Sequence, residues 1–256
     1  VTRFAYDTTP AAKAALGLVV LQADETLELD FRRMLAPDVP FYTSRVPSGE
    51  EVTPETLQAM ADHLSRAAGL LPGGAPIAAI GYGCTSGAAQ IGTERVAELI
   101  RAGRATDGVS EPVTALVTAC RALGLRSLAF LSPYTAKVSD RLRDVLREQG
   151  IETPRFGSFE EAEEARVVRI APASIRDAAV ELARQGAVDA VFLSCTNLRT
   201  LDLIEEVERA TGLPCLSSNQ VLCWHLAQLA RITADVPGRL GRLPVAPPGQ
   251  SLSSPA

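Results

Sequence analysis

The sequence predicts an α/β protein made of two pseudo-symmetric αβα lobes with parallel sheets, and an active site in the cleft between them. Three observations carry that expectation. Short apolar runs alternate with helical patterns along the chain, as in parallel sheets linked by helices. An apolar strand, a small residue, Cys-Thr, a polar residue and a helix succeed one another at 80–86 and again at 192–197. The two cysteines of this echo, Cys84 and Cys195, stand 111 positions apart, and 256 residues suit two lobes of about 120 each.

Each element has its own signal. Residues 1–13 are mixed and expected to fray. Residues 16–21 form a continuous apolar run, a buried strand ending at the polar stretch 22–26, and a helix comes next over 27–35 until Pro37 stops it. Residues 41–45 read as a second strand. Thr53 and Pro54 open a helix as N-cap and first helical residue; it runs to about Leu70, where Pro72-Gly-Gly ends it. Residues 76–80 form the next strand, leading into Gly81-Tyr-Gly-Cys-Thr-Ser-Gly87 and a helix over 88–102. The pattern then restarts: helix 113–123, strand 127–131, helix 136–149 closed by Gly150, helix 173–186, strand 190–193, helix 203–210, a short strand in 212–216, and helix 220–231. The expected division is a first lobe over 1–115, completed by the C-terminal helix within 217–243, a second lobe over 116–216, and a mobile Pro-, Ser- and Gly-rich tail over 244–256.

Composition excludes several classes. Hydrophobic residues make up 46% and charged residues 21%, enough apolar material for a sizeable core and too much for wholesale disorder. A net charge of −5 without a basic run gives no footprint for nucleic acid. The apolar runs are too short to cross a bilayer, and the N-terminus lacks the charged and apolar regions of a secretion signal. Five cysteines without close spacing do not make a disulfide framework. A cytoplasmic protein with free thiols is expected, binding neither nucleic acid nor membrane; homo-oligomerisation stays open.

The cysteines divide into two kinds. Cys120, Cys215 and Cys223 fall in apolar stretches and read as packing residues. Cys84 and Cys195 each end a strand and precede a helix, where backbone N–H groups and the helix dipole would lower the thiol pKa. Each also has small polar neighbours able to bind a carboxylate, Thr85 and Ser86 at the first and Thr196 and Asn197 at the second. In an open parallel sheet the ligand lies beyond the carboxyl ends of the strands, so two facing lobes would put both cysteines on one cleft. Tyr134, at the end of strand 127–131, faces the same cleft. No paired Cys or His has zinc-site spacing, so no metal is expected. A dinucleotide loop would need its third glycine at 86 rather than 87, and a nucleophile elbow would need glycines where Tyr82 and Ser86 stand. His63 and His225 lie inside helices, which makes a Cys-His hydrolase a poor fit.

Gly-Cys84-Thr-Ser-Gly, Ser-Pro-Tyr134 and Leu-Ser-Cys195-Thr-Asn-Leu-Arg-Thr-Leu-Asp-Leu-Ile together resemble the aspartate/glutamate racemase superfamily, in its maleate cis–trans isomerase and arylmalonate decarboxylase branch. The resemblance spans roughly residues 16–243. It implies two αβα lobes and chemistry without a cofactor. Thr85, Ser86 and Tyr134 match positions that cradle a substrate carboxylate in the decarboxylases, and Cys195 matches their single catalytic cysteine. Those enzymes have glycine where this chain has Cys84, which points toward a two-cysteine isomerase. The maleate isomerases have an asparagine after the first strand for a substrate carboxylate; here the matching residue is Asp24, preceded by Gln22, and a second family asparagine falls near Glu164. Carboxylates in place of amides would repel a dicarboxylate and welcome an ammonium group. The Leu-Gln-Ala-Asp-Glu-Thr opening is also similar to family members assigned to ectoine utilisation, whose substrates would be diamino-acid derivatives.

The expected activity is therefore isomerisation next to a carboxylate, with Cys84 and Cys195 catalytic and Gln22, Asp24, Thr85, Ser86, Tyr134, Thr196 and Asn197 binding a small carboxylate substrate that can bear an amine. A racemase would pass a proton between opposed sulfurs, whereas a maleate-type isomerase would add a thiolate to a double bond, rotate and eliminate. The alternatives are an arylmalonate-decarboxylase-like lyase and a small-molecule binding protein that uses the same cleft without turnover.

Overall fold

The computed structural model describes residues 1–10 and 14–243; the expected tail over 244–256 lies outside the described residues, as do three residues of the segment expected to fray. Residues 1–10 are exposed and carry no regular secondary structure.

In chain order the first lobe contains β1 (Ala15–Leu21), α1 (Leu27–Met34), β2 (Phe41–Val46), α2 (Pro54–Ala59), α3 (Ala61–Gly69), β3 (Ile77–Gly83), α4 (Thr85–Ile91), α5 (Thr93–Gly103) and β4 (Gly108–Ser110). α6 (Pro112–Leu123) leads to the second, with β5 (Ser127–Ser132), α7 (Ala136–Glu148), β6 (Glu152–Ser158), α8 (Glu164–Val167), α9 (Pro172–Arg184), β7 (Ala190–Leu193), α10 (Ile204–Thr211) and β8 (Cys215–Ser217). α11 (Ser218–Ala230) and α12 (Gly238–Gly241) close the described chain. Both sheets are parallel and have the same plan, β2-β1-β3-β4 and β6-β5-β7-β8.

The inner strands are apolar along their whole length because helices cover both faces. All seven residues of β1 and all four of β7 are buried. The space above Gly81 is filled by Leu222 and Leu226 of α11, while Leu71, just after α3, fills the space above Gly17 on the opposite face. α11 therefore packs against the first sheet, on β3 and β4, although it comes after the last strand of the second. It also packs on α6, so these two helices tie the halves together. Among the described residues no helix is long and apolar enough to cross a membrane.

The structure differs from the sequence expectation in several elements. The helix expected from Thr53 to Leu70 is two, α2 and α3, broken at Met60. Thr53 does cap α2, in a reciprocal capping box with Thr56. The helix expected over 88–102 starts earlier, at Thr85, and is split by Gly92, whose φ of 95° is open to glycine alone at little cost. β4 and β6 were not expected. β4 is three residues long, and β6 is an edge strand whose Glu152 and Pro154 are exposed, so neither shows an apolar run. α8 is a single turn without apolar periodicity.

Candidate active site

In each sheet the chain leaves the first inner strand toward one edge and returns to build the other inner strand on the opposite side. The crevice at this reversal, at the carboxyl ends of the two inner strands, is where open α/β sheets take ligands. Here the reversals fall between β1 and β3 and between β5 and β7. Asp24 comes after β1, Cys84-Thr85-Ser86 after β3, Tyr134 after β5 and Cys195-Thr196-Asn197 after β7. All eight of these residues line one small cavity, with Leu21 and Glu164. Its free volume of about 10 Å³ is room for about one water molecule.

Cys84 leaves β3 in ordinary extended backbone, φ −151°, and caps α4 with its own sulfur, which accepts the Gly87 N–H at 3.2 Å. Gly87 is required by this packing. A Cβ there would lie 2.5 Å from Tyr82 Oη and 2.9 Å from Cys84 Sγ. Thr85 turns its hydroxyl to Ser218 Oγ at 2.8 Å. The Ser86 hydroxyl makes no hydrogen bond to another described residue and stays available to a ligand.

Cys195 has φ 124°, a left-handed conformation that is costly for any residue with a Cβ and is held only by surrounding structure. Its N–H donates to Ser218 Oγ at 3.0 Å, and its sulfur accepts the Asn197 N–H at 3.3 Å. Tyr134 Oη lies 3.0 Å from Cys195 Sγ and donates to Glu164 Oε1 at 2.7 Å. Asn197 Nδ2 donates to Glu164 Oε2 at 2.9 Å. Thr196 donates its hydroxyl across the lobes to the Gly83 carbonyl.

Asp24 divides its carboxyl group between two tasks. Oδ1 accepts the N–H groups of Thr26 and Leu27 at 2.9 and 2.8 Å, fixing the entry to α1. Oδ2 is buried without a hydrogen-bond partner; the Thr196 hydroxyl is near enough to favour the charge but lies outside hydrogen-bonding geometry. Burial dominates and raises the Asp24 pKa to about 7, against the pull of the two amides. No Lys, Arg or His lines the cavity.

Three expectations need correction. Gln22 is exposed and outside the cavity lining, because it lies past the end of β1 in the turn that leads to Asp24, where the strand no longer sets its side chain's direction. The two sulfurs are not low-pKa thiols. Burial pushes Cys84 up to about 12 and Cys195 well above its usual value, since the one N–H and the one tyrosine hydroxyl beside each sulfur cannot offset desolvation near the carboxyls of Glu164 and Asp24. Asn197 lines the cavity, but its side chain is occupied by the protein. Its Oδ1 accepts the Glu25 N–H and its Nδ2 serves Glu164, so it braces the lobes rather than presenting a free amide.

Sequence reasoning missed Ser218. Its hydroxyl joins the two cysteine motifs, yet it belongs to α11 and lies far from both in sequence. The available signal was Ser217-Ser-Asn-Gln220, a capping-box pattern that puts four polar residues at the head of an otherwise apolar helix; all four are fully buried. Asn219 makes two of the links, to Asp30 Oδ2 and the Thr196 carbonyl. Both histidines lie apart from the cavity: His63 is exposed, and His225 is half-buried against Ser110 Oγ at 2.7 Å. Cys120, Cys215 and Cys223 are fully buried in the core. No cluster of three His, Cys, Asp or Glu able to hold a metal occurs among the described residues.

Comparison with known proteins agrees with this geometry. A family model described as arylmalonate decarboxylase matches residues 16–243. Arylmalonate decarboxylase of Bordetella bronchiseptica is 32% identical, covering 91% of this chain and 97% of its own. Maleate isomerase of Pseudomonas putida is 26% identical, covering 87% and 94% respectively. A solved structure of a Nocardia farcinica maleate cis-trans isomerase mutant, with a covalently bound succinylcysteine intermediate, matches with a TM-score of 0.78 at 25% identity over 90% of this chain and 98% of that one.

Proposed function

The chain belongs to the arylmalonate decarboxylase family, and from that premise we propose that it is a cytoplasmic, cofactor-independent, two-cysteine isomerase acting on a carbon next to a carboxylate. One observation carries this reading: two cysteines from equivalent strand ends of the two lobes line the same small cavity. A pure binding protein has no need of opposed thiols.

Cys195, as thiolate, takes the proton from the carbon that bears the carboxylate, and the C–H electron pair moves into the carboxylate. Cys84, as thiol, returns a proton to the opposite face. The Ser86 hydroxyl and the N–H groups of Thr85 and Ser86 at the start of α4 stabilise the charge that develops on the carboxylate oxygens. A second carboxylate on the substrate would meet Asp24 and Glu164 without a cation to offset them. Asp24 Oδ2 instead suits a donor, such as an ammonium group. The substrate class that fits best is an amine-bearing monocarboxylate, for which diamino-acid derivatives are the first candidates.

A specific observation favours a second reading. The Nocardia relative carries a succinyl group on cysteine, so addition of a thiolate to a double bond, rotation and elimination is the route if the substrate here is an unsaturated acid. Deuterium incorporation from D₂O into a panel of amino-acid derivatives, unsaturated diacids and arylmalonates separates these chemistries. Exchange at the α-carbon with loss of optical activity is expected for an amine-bearing acid. Cis–trans conversion without such exchange supports the addition route, release of CO₂ a lyase, and no turnover a binding module.

A further inference from the structure

From the hydrogen bonds around Cys195 we infer that Glu164 is the terminal proton acceptor for this sulfur, reached through Tyr134, and that the wire gives Cys195 an internal outlet for its proton that Cys84 lacks. The inference rests on the proposed cysteine chemistry and adds the group that receives the thiol proton.

The polarity of the wire comes from counting protons. Tyr134 has one hydroxyl proton, and at 2.7 Å it points to Glu164 Oε1. Asn197 Nδ2 supplies a proton to Glu164 Oε2, so both carboxylate oxygens act as acceptors. With its proton committed, Tyr134 Oη can only accept from Cys195, 3.0 Å away. Every bond in the chain therefore runs from sulfur to phenol to carboxylate. Both ends are fixed. Glu164 N–H donates to the Glu50 carbonyl and Val52 N–H to the Ala162 carbonyl, a short antiparallel strap that holds the start of α8 against the first lobe.

Transfer is balanced without an outside reagent. The Cys195 S–H proton moves to Tyr134 Oη while the Tyr134 proton moves to Glu164 Oε1. One S–H and one O–H bond break and two O–H bonds form, leaving a thiolate, an intact phenol and a carboxylic acid. The negative charge passes from the Glu164 carboxylate to sulfur, and the cavity's net charge is unchanged. Return of the proton restores the start. Cys84 has no such outlet. Its sulfur accepts the Gly87 N–H and lies beside the Tyr82 hydroxyl, but Tyr82 leads on only to Met60 Sδ, and no carboxyl hydrogen-bonds to either.

The other titratable groups facing the wire are Asp24 from the β1–α1 turn and Cys84 from the β3 end. Glu50 and Glu51 on the strap and Glu163 and Arg166 beside Glu164 are exposed, and Arg166 pairs with Glu161.

The test is the pH dependence of iodoacetamide alkylation at Cys195 and Cys84, measured in the same molecules by peptide mass spectrometry between pH 6 and 9. In the wild type an internal acceptor takes the proton, so the Cys195 rate should stay flat over at least two pH units. In Glu164→Gln and in Tyr134→Phe the proton must leave to solvent, and the rate should rise about tenfold per pH unit, as an ordinary thiol does below its pKa. Glu164→Asp should keep part of the flat region. The Cys84 profile should rise in every variant alike. A wild-type Cys195 profile that rises as steeply as that of Glu164→Gln would overturn the relay. Parallel slowing of both cysteines in Glu164→Gln would overturn it too, and make Glu164 a strut of the cavity wall. Alkylation requires no turnover: a flat profile without isomerisation of any substrate would refute the proposed activity and leave the wire standing.

Discussion

Cys84 and Cys195 end equivalent strands of a repeated sheet, and their surroundings differ in almost every respect. Cys84 sits on relaxed extended backbone, caps its own helix and has Gly87, Tyr82 and Met60 around it. Cys195 sits on a left-handed backbone, is anchored by Ser218 from a helix of the other half, and touches a phenol that leads to a carboxylate. The repeat of the fold explains why there are two sulfurs at one cavity. It does not make them alike. Side chains outside the repeat, Glu164 and Ser218 above all, assign each sulfur its surroundings.

The largest test removes one sulfur at a time. Cys84→Ala and Cys195→Ala should each lower isomerisation at least about a thousandfold, the scale of losing a proton-transfer group. If the two sulfurs serve opposite faces, Cys84→Ala should still exchange deuterium into one enantiomer and not the other, as seen by NMR of each enantiomer. Unchanged turnover in Cys195→Ala would refute the chemistry. Cys120→Ala, Cys215→Ala and Cys223→Ala should leave turnover in place and lower stability by about 1–3 kcal/mol each, through lost core packing.

Asp24 comes next. Its pKa is 3.8 unfolded and about 7 folded, so the native state holds its proton more tightly. Stability is therefore unaffected below about pH 4, declines as pH rises toward 7, and carries the full cost above it. At about 1.4 kcal/mol per unit the ceiling is about 4 kcal/mol. Asp24→Asn keeps an oxygen for the Thr26 and Leu27 amides, so it should melt above the wild type at pH 8, with the gap closing by pH 4. The same variant should weaken amine-bearing substrates and improve diacids; equal effects on both classes would leave Asp24 only the role of fixing the entry to α1.

Gly87→Ala sharpens the comparison from the Cys84 side. Its methyl group would press on Cys84 Sγ and Tyr82 Oη, at a cost of about 1–3 kcal/mol. Urea denaturation reports that cost, and Cys195 alkylation should be unaffected. Ser218→Ala acts on both sides, removing the acceptor for the Thr85 hydroxyl and the Cys195 N–H. A loss of about 1–3 kcal/mol is expected, and kcat should fall because the strained Cys195 backbone loses its anchor. The smallest effect belongs to the exposed ion pairs that cross the lobes, Arg169–Glu25 and Arg33–Asp202. Arg169→Ala should shift the midpoint of the same denaturation only slightly, and less still in high salt.

Much of the fold was legible because inner strands of a doubly covered sheet are continuous apolar runs, and 16–21, 76–80, 127–131 and 190–193 are such runs. β4 and β6 were not: β4 has only three residues, Gly-Val-Ser, and β6 carries polar and exposed residues in place of an apolar run. Cys84, Thr85, Ser86, Tyr134, Cys195 and Thr196 were legible as residues just past those strands, where chain direction alone leads to the ligand crevice. Gln22 was not, because it falls in the turn past β1, whose path decides which side chains reach the cavity.

The sequence by itself determined the parallel α/β lobes, their echo and the two sulfurs, because these depend on local periodicity and on the residues at each strand's carboxyl end. Only the tertiary structure decided how the sulfurs differ. The contacts responsible join residues far apart in the chain: Tyr134 with Glu164 and Cys195, Ser218 with Thr85 and Cys195, Asn197 with Glu25 and Glu164. It also decided the sulfurs' protonation, for a strand-end cysteine read in isolation has its helix N–H groups in view but not the burial that outweighs them. Desolvation depends on everything packed around a group, and that is set when the two lobes close on one another.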